Sequence, residues 1–274
     1  MSLSTNLLDA LSPENRIFVA FSGGLDSTAL LFLCNKALKQ KKIRNLKAIH
    51  INHNLSKNSD NWQQHCESFC SSNNIEFESF MVKVSKNRSS IESQARQARY
   101  KIFESLLDEN DQILLAHHRD DVFETILLRL FRGTGVDGLS GLNENRSLGK
   151  GEIIRPFLNL SKSDLKIYIE ENDLKYVQDD TNLNNDFDRN FLRNEIVPSL
   201  EKRWSKLSER AALTSLTAKK KKLSLDFMLE KSFKKEISTG IIEREKFIEI
   251  PSFLIEELIR LILRKKGIAL PSQK

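Results

Sequence analysis

Between a short apolar run and a helical one, the chain reads Ser22-Gly23-Gly24-Leu25-Asp26-Ser27, and no other segment restricts its fold as much. Upstream, Ile17-Phe18-Val19-Ala20-Phe21 is a β-favouring stretch of the kind buried in a parallel sheet. Downstream, Thr28-Ala29-Leu30-Leu31-Phe32-Leu33 opens a helix expected to reach about Lys41, with Asp26 or Ser27 as its N-cap. Two adjacent glycines allow positive φ, so several N–H groups can point into one concavity. The helix N-terminus beneath adds about half a positive charge. Such a nest takes phosphate oxygens, and Asp26 suits the Mg²⁺ that accompanies them. A Walker A loop is excluded, because no Gly-Lys-Ser/Thr follows the glycines. The plain alternative is a structural glycine turn.

Strand-like segments at 16–21, 46–52, 76–83, 112–116 and 175–178 alternate with helix-like segments at 27–41, 59–73, 90–109, 119–132, 161–172 and 189–204. That alternation predicts βαβ units and an α/β, parallel-sheet, Rossmann-like domain covered on both faces. Ligands of such sheets bind beyond the carboxyl ends of the strands. The polar residues of interest fall there: Ser22 to Ser27, His50 to Asn54, and His117 to Asp121. Residues 134–152, rich in Gly, Ser and Asn, read as a mobile loop. Beyond Trp204 the pattern turns helical and basic, which divides the chain into a domain over 1–204 and a smaller helical one over 205–274.

Charge supports the division. Residues 201–274 hold 18 Lys and Arg against 10 Asp and Glu, a net +8, whereas residues 1–200 carry a net −2. The excess includes Lys219 to Lys222, either a solvated helical face or a polyanion-binding surface. No apolar run reaches the roughly 18 residues of a membrane span, and Met1 to Asn6 lacks a secretory pattern. Three cysteines make no disulfide framework, so the expected location is the cytoplasm, with no membrane partner.

The remaining chemistry sits in polar clusters. Ala20, Phe21 and His50, at the first two strand ends, suit contacts to a nucleotide base, and His53 suits a phosphate. Arg96 and Arg99, three apart on one helical face, suit a shared anion. In Ala116-His117-His118-Arg119-Asp120-Asp121-Val122-Phe123-Glu124, the carboxylates of Asp121 and Glu124 share a face and attract a cation, either Mg²⁺ or a substrate ammonium. Asp120 alternatively caps the helix. A zinc site is conceivable from His117, His118 and the acids, but no ligand spacing for it appears, and Cys66 and Cys70 read as buried or semi-buried helix residues. The glycines of Arg132 to Leu142 allow close backbone approach or a flexible turn. Arg189 and Arg193, four apart, suit two phosphate contacts or salt bridges to nearby acids.

SGGLDS resembles the pyrophosphate-binding loop of the N-type ATP pyrophosphatases. Together with HINH, QARQARY, AHHRDDVFET, FRGTGVDGLSGL, IIRPF and DDTN…DRNFLRNEIVP, it resembles the tRNA(Ile)-lysidine synthase family over residues 16 to about 204. That family joins free L-lysine to C2 of the wobble cytidine of an isoleucine tRNA, using ATP and Mg²⁺. The resemblance implies that Ser22, Gly23, Gly24, Leu25, Asp26 and Ser27 hold the ATP phosphates, with Asp26 on Mg²⁺. It implies that Asp121, Glu124 and Arg99 position the lysine and the reacting base, and that Arg189 and Arg193 meet the tRNA. Relatives often carry further C-terminal structure, so the end at Lys274 reads as either a short member or a truncated chain. A tRNA thiolase of the same superfamily is disfavoured because no Cys-x-x-Cys occurs. A small-molecule synthetase leaves the basic segment unexplained, and a silent binding module leaves Asp26, Asp121 and Glu124 unexplained.

Overall fold

In a computed structural model, which describes residues 7–8, 10–54, 56–82 and 91–268, the apolar runs become a six-stranded sheet. Its strands are β1 (Ile17–Ala20), β2 (Lys47–Asn52), β3 (Glu76–Met81), β4 (Gln112–Leu114), β5 (Asn145–Leu148) and β6 (Gly151–Ile154). The spatial order is β3-β2-β1-β4-β6-β5, all parallel except the β5–β6 pair. Helices α1 (Leu25–Lys39), α2 (Ser59–Asn73), α3 (Ile91–Leu106) and α4 (Arg119–Phe131) follow the first four strands.

Alternate residues of the central strands feed two cores. Ile17, Val19, Phe21, Ala48, Leu114 and Ile154 pack on one face, and Phe18, Ile49, Ile113, Leu115 and Ile153 on the other. Burial on both faces is why these strands are apolar throughout rather than alternating. The chain leaves β1 toward β2 on one side and later toward β4 on the other. The order therefore reverses at β1, and a crevice opens outside the ends of β1 and β4.

The sequence expectations need four corrections. Helix α1 starts at Leu25 with Gly24 as N-cap, at φ −74° and ψ 165°. Neither Asp26 nor Ser27 caps it, because the Ser27 hydroxyl turns back onto the loop. The segment expected to be a mobile loop at 134–152 holds a short helix α5 (Val136–Leu139) and most of the β5–β6 hairpin. A two-residue turn closes that hairpin, with Gly149 at φ +57° supplying the left-handed backbone. Residues 175–178 form no strand of the sheet, since Val177 gives its N–H to the Gly23 carbonyl at 2.8 Å instead. Finally, the helix expected over 189–204 is three consecutive pieces: α7 (Asp188–Phe191), a π turn (Leu192–Ile196) and α8 (Val197–Arg203). Pro198 has no N–H for the ladder, which favours such an irregular turn before it. Along the chain, α6 (Lys162–Glu171) comes between β6 and these pieces.

The chain divides into two compact units, 1–125 with 142–212, and 126–141 with 213–274. The second contains most of α9 (Leu207–Ser232), then α10 (Lys234–Thr239), α11 (Arg244–Glu249) and α12 (Ser252–Lys265). Leu229, Ile250, Leu258, Leu261 and Ile262 form its own core. No described helix is long and apolar enough to cross a membrane. The strand end expected at Lys83, the helix start at Ser90 and the terminal Pro271 to Lys274 lie outside the described residues.

Candidate active site

The glycine loop is held by its own hydroxyls. Ser22 donates its backbone N–H to the Ser27 Oγ at 3.2 Å, and that hydroxyl donates to the Gly24 carbonyl at 3.0 Å. Gly23 sits at φ +80°, and a Cβ there would stand 2.9 Å from the Cys66 Sγ, so both conformation and space require glycine. Beneath the loop, Phe21 is buried, and its carbonyl accepts from the His50 Nδ1 at 2.9 Å. His50 is 5% exposed and thus ties the ends of β1 and β2 together.

Two adjoining pockets open above the loop. The smaller, about 260 Å³, is lined by Ala20, Phe21, Ser22, Gly24, Asp26, Ser27, Arg99 and Asp121 among others. The larger, about 760 Å³, shares Ser22, Gly24, Asp26, Arg99 and Asp121, and adds Leu25, His50, Lys162 and Arg193. Most of the residues expected to serve a nucleotide and an acceptor thus meet at one place. Glu124 and Arg189 line neither pocket and act from behind.

Behind the pocket lies a four-membered charge cluster. Asp121 and Glu124, one turn apart on α4, face Arg189 of α7 and Arg193 of the π turn. Arg189 donates from Nε to Glu124 at 2.7 Å and from Nη2 to Asp121 at 2.9 Å. Arg193 donates from Nε to Glu124 at 2.7 Å and from Nη2 to Asp121 at 3.2 Å. The two arginines therefore meet these acids, rather than the acids nearer in sequence. The cation on the shared carboxylate face is, in this structure, a pair of guanidinium groups. Burial raises the Asp121 pKa, but His118 and Arg189 outweigh it and hold the carboxyl below its usual value.

His118, at the strand end marked by the sequence, is assigned no part in the phosphate or lysine chemistry by sequence alone. It is 2% exposed, and its Nε2 lies 3.7 Å from Asp26 Oδ2 and 3.5 Å from Asp121 Oδ2, with Nδ1 3.4 Å from Asp120 Oδ2. Burial lowers its pKa, yet the three carboxylates more than compensate and raise it. The His-His doublet marks this junction in the sequence, but not which ring turns inward. Asp120 accepts from the Lys162 N–H at 2.7 Å, the first N–H of α6, whose N-cap is Ser161, rather than capping its own helix.

Asp26 has unmet bonding capacity beside the loop. Its Oδ1 is buried without a hydrogen-bond partner. Burial raises its pKa first, and Asp121 raises it further, against His118, Lys162 and Arg193. A buried acidic oxygen above a phosphate nest fits a hard divalent cation. Among the described residues, no group of three or more His, Cys, Asp or Glu side chains is placed to hold a metal alone. A cation here would therefore draw its other ligands from a bound phosphate and water.

Comparison with known proteins agrees with this geometry. Residues 2–200 match the family described as the PP-loop domain. The tRNA(Ile)-lysidine synthase of Coxiella burnetii is 38% identical over 274 residues, covering 97% of this chain and 60% of the relative. That of Legionella pneumophila strain Lens is 36% identical, covering 99% and 63%. That of Wigglesworthia glossinidia brevipalpis is 36% identical, covering 96% and 67%. The chain thus spans about three fifths of the length of the first two. A U34-tRNA thiolase from Methanococcus maripaludis shares the fold, with TM-score 0.63 at 18% identity over 78% of this chain and 76% of that one. The family match over residues 2–200 and relatives matched over nearly the whole of this chain place it in the PP-loop family and, within it, among the tRNA(Ile)-lysidine synthases.

Proposed function

We propose that this protein, acting in the cytoplasm, uses ATP and Mg²⁺ to join free L-lysine to C2 of the wobble cytidine of an isoleucine tRNA. One observation carries the reading. Asp26 of the phosphate loop and Asp121 line the same pocket, 3.7 and 3.5 Å from one His118 nitrogen. The anion-binding and cation-binding halves of the reaction thereby meet within one side chain's reach.

The loop N–H groups from Ser22 to Ser27 hold the β- and γ-phosphates and leave the α-phosphorus toward the pocket. Ala20, Phe21 and His50 carry the adenine at the strand ends. Asp26 would hold Mg²⁺, which offsets phosphate charge. The cytidine O2 attacks the α-phosphorus, forming an O–P bond as the bond to pyrophosphate breaks. Arg99, which lines both pockets, steadies charge on the transferring group. The lysine ε-amine then attacks C2, and AMP departs with the former O2. That amine has an ordinary pKa near 10.4, so it arrives protonated and must shed two protons overall. One leaves to water before attack, and Asp121, which reaches the pocket, receives the other during it. Glu124 and Arg189 fix its orientation. Arg193, on the larger pocket, also meets a tRNA phosphate.

Mass spectrometry of an isoleucine tRNA transcript after incubation with ATP and lysine tests the reading. One cytidine should gain a lysyl group. Consumption of ATP with an unmodified transcript would contradict it.

A further inference from the structure

Tyr100, on α3, is ringed by guanidinium groups. The central carbons of Arg146, Arg96 and Arg99 lie 5.2, 5.3 and 5.9 Å from its ring centroid. Arg155, just past β6, completes the group. It is 5% exposed, and its partners are neutral: Nε donates to His117 Nδ1 at 3.3 Å and Nη1 to the Asn143 carbonyl at 2.8 Å. Burial alone would raise the Tyr100 phenol, but Arg96, Arg155 and Arg99 pull it below its usual value. Burial lowers the Arg155 pKa, and Arg146 and Arg96 lower it further, against the pull of Tyr100.

Among the described residues, Arg96, Arg146 and Arg155 form no ion pair with a carboxylate, unlike Arg189 and Arg193. Cations gathered without a counter-charge repel, and a bound anion relieves that repulsion. The group has the form of a socket. Arg155 is its buried floor, and Arg96 and Arg146 are its exposed rim, from separate elements. Arg99 and His117 connect it to the nucleotide pocket, which both line, whereas Arg146 lines neither pocket.

We propose that Arg96, Arg146 and Arg155, packed around Tyr100, form a second anion site beside the phosphate loop, which binds a phosphodiester of the RNA strand whose base enters the pocket. The assignment of the ligand as RNA rests on the function proposed above. The open rim suits a strand passing over the surface, while the loop already serves the nucleotide's own phosphates. Tyr100, held between guanidinium faces, acts as a spacer that sets the arginines apart.

The test uses the whole chain and a fluorescent single-stranded oligoribonucleotide carrying a cytidine-centred anticodon loop, titrated at several salt concentrations. Arg96→Gln/Arg146→Gln changes two exposed side chains and should bind roughly 10-fold more weakly. Its log–log salt slope should be shallower by about 0.7, the value for one lost single-strand phosphate contact. Arg146→Lys should retain the wild-type slope, and Arg146→Gln should bind ATP as wild type does. Unchanged affinity and slope in the double variant would overturn the site, as would failure of the wild type to bind the oligonucleotide. A parallel titration with inorganic pyrophosphate separates the sources. If only pyrophosphate binding weakens in the double variant, the site serves free phosphate and the proposal fails. If oligonucleotide binding weakens as expected but the wild type transfers no lysine, the ligation reading falls and the site stands.

Discussion

Arg193 grips Glu124 with two parallel hydrogen bonds, Nε to Oε1 at 2.7 Å and Nη2 to Oε2 at 2.8 Å. This fork closes a cluster of two acids and two arginines whose charges cancel, which allows Glu124 to be 4% exposed. Removing one member leaves a buried charge without its partner. Glu124→Ala should cost about 3 kcal/mol of unfolding free energy, toward the lower end for a broken buried pair because Arg193 keeps some access to water. Adding Arg193→Ala should recover part of that loss. Urea unfolding of the four proteins in the double-mutant cycle measures the coupling, and a coupling below about 0.5 kcal/mol would mean the fork is decorative.

Asp121→Asn keeps the shape of the side chain and removes its charge. ATP should still bind, since the loop contacts are untouched. Lysine transfer should fall by roughly 10² to 10⁴, the range for loss of a positioned base. Single-turnover transfer at saturating lysine provides the measurement, and an unchanged rate would remove Asp121 from proton transfer.

Gly23→Ala places a Cβ at φ +80° and 2.9 Å from Cys66 Sγ. The backbone penalty is of order 1–3 kcal/mol, and the loop is where it must be absorbed. Thermal unfolding should show the loss, and ATP affinity should drop with it. Cys66→Ala in the same chain removes the clash but not the φ strain, so it should restore stability only in part. Full restoration would show that crowding, not conformation, sets the requirement.

Much of this was legible in the sequence and some was not, for physical reasons. The loop is readable because two adjacent glycines between a β run and a helix meet a local backbone demand. Strand β5 is not, because Asn145-Arg146-Ser147 is exposed and polar on an edge of the sheet. The pairing of Asp121 with Arg189 spans 68 residues and depends on tertiary folding, so spacing alone left the arginines open to phosphate or acid. Residues 175–178 read as a strand because Tyr176 and Val177 favour β structure, yet the Val177 N–H goes to the loop instead. The inward turn of His118 follows from how α4 leaves β4, which no local pattern encodes.

Acidification should weaken the fold through His53. Burial, followed by Arg99 and His50, pushes its pKa down to about 4, against an ordinary value of 6.5. Between those values the unfolded chain binds more protons than the folded one. Stability from this group is therefore complete above about pH 6.5, falls as pH drops toward 4, and changes by at most about 3 kcal/mol. His118 works in the opposite sense: its raised pKa contributes stability at low pH that is lost as pH rises through its folded value. His53→Gln should flatten the difference in urea stability between pH 7 and pH 5. An unchanged difference would exclude His53 as its source.

The chemistry stands or falls on which phosphorus the loop presents. Incubating the protein with α-labelled ATP and isoleucine tRNA, without lysine, isolates the first step. Pyrophosphate release that requires tRNA, with labelled AMP retained on the tRNA until lysine is added, is the expected result. Release of orthophosphate, or turnover that ignores tRNA, would contradict attack by the cytidine oxygen at the α-phosphorus.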